Sequence, residues 1–388
     1  VKNAGIPLGE GGRFHQLDAL RGLAALVVLI RHSFDVVMHL PSFLEESPLY
    51  LFVGGHEAVI FFFILSGFVL SLPFYKGKEF AYFPYLVKRV SRIYLPFMAA
   101  MIVALMMSQM LYQGGVTHLS AWMSNKWSIE VTGSTVLEQL NILGNHETRT
   151  YNPVVWSLIH EMRISLIFPF IMIIINRFSW KMSLLAAAAC SLIGGLNGIF
   201  GIQPSLGYQT SWFDSLHFTA MFIIGALAAK HRHQLLSAIA GLTKVNKMLI
   251  LAAGLLAYIY SREMKTSSMY FTDAAADWGI SFGVVTIIIF ALKDQSYPHL
   301  LGNRVVTFIG KISFSLYLCH TTVMFTLVHL LHNQLNPWLI LALSLAPIFI
   351  LSYAAWKWVE LPSIRLGKRL TQSREKSLLS PGGVRQVS

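Results

Sequence analysis

Ten stretches of mostly apolar residues recur along the chain, at about 16–38, 56–74, 93–113, 153–175, 182–201, 211–230, 247–261, 277–293, 304–331 and 336–358. A helix needs about 20 such residues to cross the hydrocarbon layer. The pattern therefore predicts an all-α, polytopic membrane bundle of about ten transmembrane helices, the seventh short and the ninth long. Residues 80–92, FAYFPYLVKRVSR, are too basic to span, and read as an amphipathic helix lying along the inner surface.

The polar segments between these stretches set the topology. With both termini inside, the inner segments hold 23 of the 30 Lys and Arg, the outer segments four, and Arg21, Arg31 and Arg163 fall inside helices. Lys and Arg favour the cytoplasmic side, and one helix more or fewer would scramble the alternation. The expected organisation is a cytoplasmic segment 1–14, a transmembrane domain 15–360 and a solvated, basic cytoplasmic tail 361–388. The long outer loop, about 114–152, is rich in Ser, Thr, Asn and Gly and is expected to form a partly ordered cap.

Composition agrees with that architecture. Hydrophobic residues make up 55% of the chain and charged ones 12%, where soluble domains carry about 25%. A net charge of +12 would suggest nucleic acid in a soluble protein. Here the cations serve topology, the partner is the lipid bilayer, and no nucleic acid is expected. Cys190 and Cys319 lie in apolar runs, and no Cys/His spacing suggests a metal. The first fourteen residues lack the apolar core of a signal peptide.

The ionisable residues within the spans carry the chemistry, because such groups are costly in lipid and mark functional interiors. Arg21 and His32 stand eleven residues apart, within about 20° of one helix face and about 16 Å apart along the axis. Asp18 is placed to hold Arg21 as an i,i+3 pair. Glu161 falls about 12 Å below the outer end of the fourth span, and His320 about 13 Å up the ninth. His32, Glu161 and His320 are thus expected at comparable depth, a carboxylate orienting an imidazole. Lower down, Lys88, Arg89 and Arg92 follow one face beside Arg21 and suit phosphate binding. The structural alternative is a packing stripe with lipid-anchoring cations. Arg31, Arg163, Tyr317 or Ser66 could face an oxyanion, and Asp35 an acceptor. His15, His39, His56, His329 and His332 read as interfacial, His160 as structural, and Gly67 as a site of close helix approach.

In this order and spacing, LDALRGLAALVVLIRHSF, FFFILSGFVLSLPF, KRVSRIYLPF, WSLIHE and ISFSLYLCHTTV resemble the acyltransferase-3 family of membrane acyltransferases over about residues 14–365. The specific parts are Arg21-x10-His32, Ser66–Gly67–Phe68, Arg89-x2-Arg92 and Trp156–Ser157–Leu158 followed by Glu161. The resemblance implies a bacterial cytoplasmic-membrane enzyme that moves an acyl group, acetyl by default, from cytoplasmic acyl-CoA to a hydroxyl of a glycan or other acceptor. It further implies His32 as catalytic base or acyl carrier, Glu161 as its support, and Arg21, Arg89 and Arg92 as donor-binding cations along a polar passage. Arg31 beside His32, and Met162 and Arg163 after Glu161, depart from the family pattern. The main rival is a secondary transporter or flippase with a mid-membrane proton site; no inverted repeat supports it. The acceptor and the oligomeric state are not legible.

Overall fold

The computed structural model describes residues 14–75, 80–116, 119–262, 270–293 and 302–379, with no side-chain account of 270–272 and 373–379. The N-terminal segment, apart from Phe14, and the last nine residues lie outside the described residues. Among the described residues the regular structure is helical. Helices of ten residues or more are α1 (His15–Val37), α2 (Gly55–Ser71), α3 (Tyr82–Met110), α4 (Val155–Arg177), α5 (Trp180–Phe200), α6 (Trp212–Lys230), α7 (Arg232–Gly241), α8 (Lys244–Tyr260), α9 (Tyr270–Lys293), α10 (Arg304–Leu331), α11 (Pro337–Ala355) and α12 (Leu361–Leu379).

Local chemistry fixes many of the ends. Ser179 caps α5 by accepting from the Met182 N–H, Thr243 caps α8 through Asn246, and Asn336 caps α11 ahead of Pro337. Gly201 ends α5 in the left-handed region at φ 58°. Pro96, Pro169 and Pro347 stand inside α3, α4 and α11, as membrane helices tolerate.

Eight helical stretches among the described residues are long and apolar enough to cross a bilayer: 55–75, 82–110, 155–177, 180–200, 212–230, 273–293, 304–331 and 337–372. The other two expected spans are α1 and α8. They form as helices at the expected positions, but α1 carries Asp18, Arg21, Arg31 and Asp35 within 23 residues, and α8 has only 17.

Two expectations need correction. Residues 82–92 do not form a separate surface helix; they are the first turns of the continuous 29-residue α3. The region after Leu361 is not a bare tail either. The chain passes from α11 through a π-helical turn, Trp356–Glu360, into α12. The stretch 337–372 has 36 residues, about 54 Å of helix against a hydrocarbon layer of about 30 Å. Its last turns therefore extend beyond the hydrocarbon. The helix continues across Pro362 in its first turn, where a missing N–H is tolerated, and Ser363, Gly367 and Thr371 are buried.

The chain divides into two compact units. Unit 1 comprises 1–31, 41–72 and 221–314; unit 2 comprises 32–40, 73–220 and 315–388. In unit 1, α9 packs on α8, α2 and α7. Gly67 does mark a close approach: a Cβ there would strike the Phe222 carbonyl. Gly22 and Gly310 meet in the same way, with 2.7 Å left for a Cβ. In unit 2, α3 packs on α4 and α12, and α4 on α5.

Candidate active site

The imidazole expected to do the chemistry, His32, is half-buried in unit 2. Its Nδ1 lies 3.2 Å from Asp35 Oδ2, the i,i+3 neighbour on α1. An ionised carboxylate only accepts, so Asp35 places the proton on Nδ1 and leaves the Nε2 lone pair as the basic position. The ring stacks on Trp122, with centroids 5.2 Å apart and planes at 18°, and on His320 at 5.5 Å and 20°. His320 is fully buried. Its Nδ1–H donates to the Leu316 carbonyl at 3.0 Å, and its Nε2 has no hydrogen-bond partner among the described residues.

Trp122 arrives from the outer segment, which builds part of the site's wall instead of only capping it. Ser120 donates through its backbone N–H to Val36 and through its hydroxyl to the Asp35 carbonyl. Trp127 is fully buried, holds a left-handed φ of 52°, and is fixed by N–H donation to Thr150 and indole donation to Tyr151. A bulky residue keeps such a backbone only where its surroundings enforce it. Lys126 is 2% exposed, donates from Nζ to the Arg149 carbonyl at 2.7 Å, and sits 4.3 Å over the Trp122 ring. Burial lowers its pKa to about 8. Asn152 closes the segment, donating to Leu318 and accepting from Thr321.

The two expected depth layers meet in unit 2. Arg89, foreseen at the inner boundary, donates from Nη2 to Glu161 Oε1 at 3.0 Å, and from Nε and Nη2 to Ser165 Oγ at 3.2 and 2.8 Å. Each member lies about 9–10 Å from the first residue of its helix. Glu161 is thus an arginine partner, and the carboxylate hydrogen-bonded to His32 is Asp35. Arg92, expected alongside Arg89 on one cationic face, is exposed while Arg89 is buried.

Four further candidates hold the scaffold. Arg163 commits its guanidinium to the carbonyls of Leu143, Gly144, Thr210 and Ser211 and to Ser215 Oγ, and lies 4.1 Å from the Trp212 ring centroid. It clamps two loops onto α4, an arrangement that leaves it poorly placed to face an oxyanion. Ser157 Oγ and the Tyr317 hydroxyl are 2.7 Å apart and both lie within hydrogen-bond distance of the Val154 carbonyl, so one hydroxyl donates to the other and the second donates to Val154. Trp156 meets His160 and Tyr208 edge-on and Phe218 at a tilt of 50°. His160 is structural as expected, held by Ser215 Oγ and the Gln209 carbonyl. His329 is 2% exposed against Trp127, not interfacial.

Unit 1 holds the rest. Arg21 donates to Asp18 at 3.3 Å, the expected i,i+3 pair. Ser66 is half-buried in α2. The Arg31 stem lies against Gly55, where a Cβ would come within 2.9 Å of its Cγ. Nearby is a cluster that periodicity did not foretell. His56 Nε2 is 2.7 Å from Asp277 Oδ1, and Arg262 is 3.8 Å from Glu57 and 3.9 Å from Asp277. Glu57 is fully buried, and neither carboxylate oxygen has a hydrogen-bond partner among the described residues. Tyr50 beside it has its pKa raised by burial and by the Glu57 charge.

Against known proteins, a family model described as an acyltransferase domain matches residues 14–357. The chain belongs to the acyltransferase-3 family. It is a multi-pass membrane acyltransferase, and the transporter alternative falls with that assignment. No curated protein and no solved structure matches it.

The acyltransferase has features near its candidate site that sequence reasoning passed over. The pairing of Asp35 with His32 had an available signal, their i,i+3 spacing, although Asp35 was read as facing an acceptor. Trp122 had none, since its contact with His32 spans about 90 residues, and the burial of Lys126 against the Arg149 carbonyl leaves no periodic trace either. Glu360, buried in the π-helical turn, accepts from Ser315 Oγ at 2.7 Å; a π-turn often accompanies a functional position, yet the sequence there reads as ordinary helix.

Proposed function

We propose that this acyltransferase takes an acyl group, acetyl by default, from cytoplasmic acyl-CoA and transfers it to a hydroxyl of a glycan or other acceptor at the membrane or its outer face. We place it in the bacterial cytoplasmic membrane. The observation that carries the reading is the His32–Asp35 pair: an imidazole with Nδ1 tied to a carboxylate and its ring held between aromatic neighbours of two other chain segments.

The chemistry asks for a base and for stabilisation of a tetrahedral oxyanion. His32 Nε2 takes the acceptor hydroxyl proton as the oxygen attacks the thioester carbonyl. Asp35 stabilises the imidazolium that forms. The intermediate collapses as the carbon–sulfur bond breaks, and the leaving CoA thiolate recovers the proton carried by His32. Arg21, Arg89 and Arg92 are assigned to the donor's phosphates, with Glu161 orienting Arg89.

The test uses purified protein in lipid nanodiscs with acetyl-CoA labelled in the acetyl group. CoA release coupled to a labelled glycan or lipid-linked product is expected, and His32→Ala is expected to abolish both. Wild-type transfer rates in His32→Ala would defeat the assignment.

A further inference from the structure

The expected donor-binding cations lie on α1 and α3, but unit 2 brings further cations beside α3. Helices α3 and α12 are in direct contact. A Cβ at Gly367 would meet Ser91 Cβ at 2.9 Å and Lys88 Cα at 3.3 Å, so the backbones approach closely there. In the alternating topology the two helices run antiparallel. At 100° per residue, contact through Ser91 and Gly367 then puts Lys88 and Arg92 of α3 on the same side of the pair as Lys368 of α12. Arg365 and Arg369 follow on the outer back of α12, and the opposite side presents Leu366 and Leu370.

Arg92, Arg365, Lys368 and Arg369 are all exposed, as are both leucines. No Asp or Glu occurs in 82–110 or in 361–372, so neither helix supplies a carboxylate along this ridge. The cationic side is turned away from the leucine side, which is the one suited to lipid. That asymmetry favours a dissolved, phosphate-bearing ligand over a headgroup layer. Within unit 2, α3 also carries the buried Arg89 on the face toward α4. From Arg365 and Lys368 through Arg92 to Arg89, positive charge therefore passes from an exposed helix to a buried pair.

We propose that α12 is a recognition element for the nucleotide end of the donor, with Arg365 and Lys368 holding the ribose 3′-phosphate of CoA, the phosphate group farthest from the thioester. The proposal rests on acyl-CoA being the donor. Arginine and lysine both suit a phosphate dianion, arginine by a bidentate fork.

The experiment measures binding of CoA and of 3′-dephospho-CoA to full-length protein in phosphatidylcholine nanodiscs and, separately, in phosphatidylglycerol nanodiscs. Wild type is expected to favour CoA by at least tenfold. Arg365→Gln with Lys368→Gln is expected to erase that preference while leaving 3′-dephospho-CoA affinity within twofold. The charge-preserving pair Arg365→Lys with Lys368→Arg is expected to retain most of it, which separates recognition from misfolding. A Gln variant that binds CoA as wild type does in phosphatidylcholine overturns the proposal. So does a Gln variant whose only defect is a lost preference for phosphatidylglycerol, which would assign the ridge to lipid. Wild type that binds CoA but turns over no acetyl-CoA leaves the donor reading refuted and α12 as a nucleotide site alone. Wild type that binds neither compound removes the donor reading and this proposal together.

Discussion

His320 lies nearly flat beside His32, with ring centroids 5.5 Å apart and planes 20° apart, and its one donated proton goes to the Leu316 carbonyl. A ring fixed in that tautomer presents an Nε2 lone pair and no charge to its neighbour. Two roles follow, a packing surface for His32 and a second acceptor of protons near the reacting hydroxyl. His320→Phe keeps the surface and removes the lone pair. Its kcat is expected to fall about tenfold, while His320→Ala, which removes both, falls further, toward the 10²-fold scale of a lost acid–base group. Steady-state rates with acetyl-CoA separate the cases; a wild-type rate in His320→Phe reduces His320 to packing.

The Arg89–Glu161 pair makes a different kind of prediction, because both side chains are partly buried. Removing one partner leaves the other without compensation, which typically costs about 3–5 kcal/mol for a buried pair, and removing both costs less than the sum. Arg89→Ala and Glu161→Ala are each expected to lower Tm in detergent, and the double variant to lie above the additive value. Arg89→Lys is expected to resemble Arg89→Ala, since a single ammonium cannot span Ser165 Oγ and Glu161 Oε1 in the geometry of the guanidinium. Additive losses would mean that the two residues do not act as a pair.

Much of this was legible in the sequence, for identifiable reasons. The positions of the long apolar helices follow from a length requirement imposed by the bilayer, and α1 and α8 also form as helices where expected despite the charges of one and the brevity of the other, while α7 and α12 lay outside the expected stretches. Asp18–Arg21 and the close approach at Gly67 follow from rules local to one helix. What the sequence concealed was long-range. Periodicity fixes a residue's height and face, but not which helix stands opposite. Glu161 was therefore assigned to the imidazole layer when its observed partner is Arg89. It also gives no account of an irregular segment, so the contact of Trp122 with His32 was invisible.

Arg163 tests whether a membrane arginine serves structure or chemistry. Its bonds reach four carbonyls and one hydroxyl. Lysine offers three donors and no planar fork, so Arg163→Lys strands several buried acceptors at about 1–3 kcal/mol each. A marked fall in Tm is expected, with kcat per folded molecule close to wild type. Unchanged Tm with a 10²–10³-fold lower kcat would instead place Arg163 on the oxyanion.

Lys126 couples the outer segment to pH. Its ammonium is buried with its pKa lowered to about 8, while the unfolded chain titrates this group near 10.4. Between those values the unfolded state binds more protons than the folded one, so the lysine's contribution to stability rises with pH across about 8 to 10.4 and is least favourable below 8. The full span is up to about 3 kcal/mol at 1.36 kcal/mol per pKa unit. Lys126→Met removes the titration, although it also takes the donor from the Arg149 carbonyl. The expected signature is therefore a slope, not an offset: wild-type Tm minus Lys126→Met Tm increases between pH 8 and 10. Because Lys126 lies over Trp122 and Trp122 lies on His32, a flat difference would show that this cation is too well hydrated to press on the site through that stack.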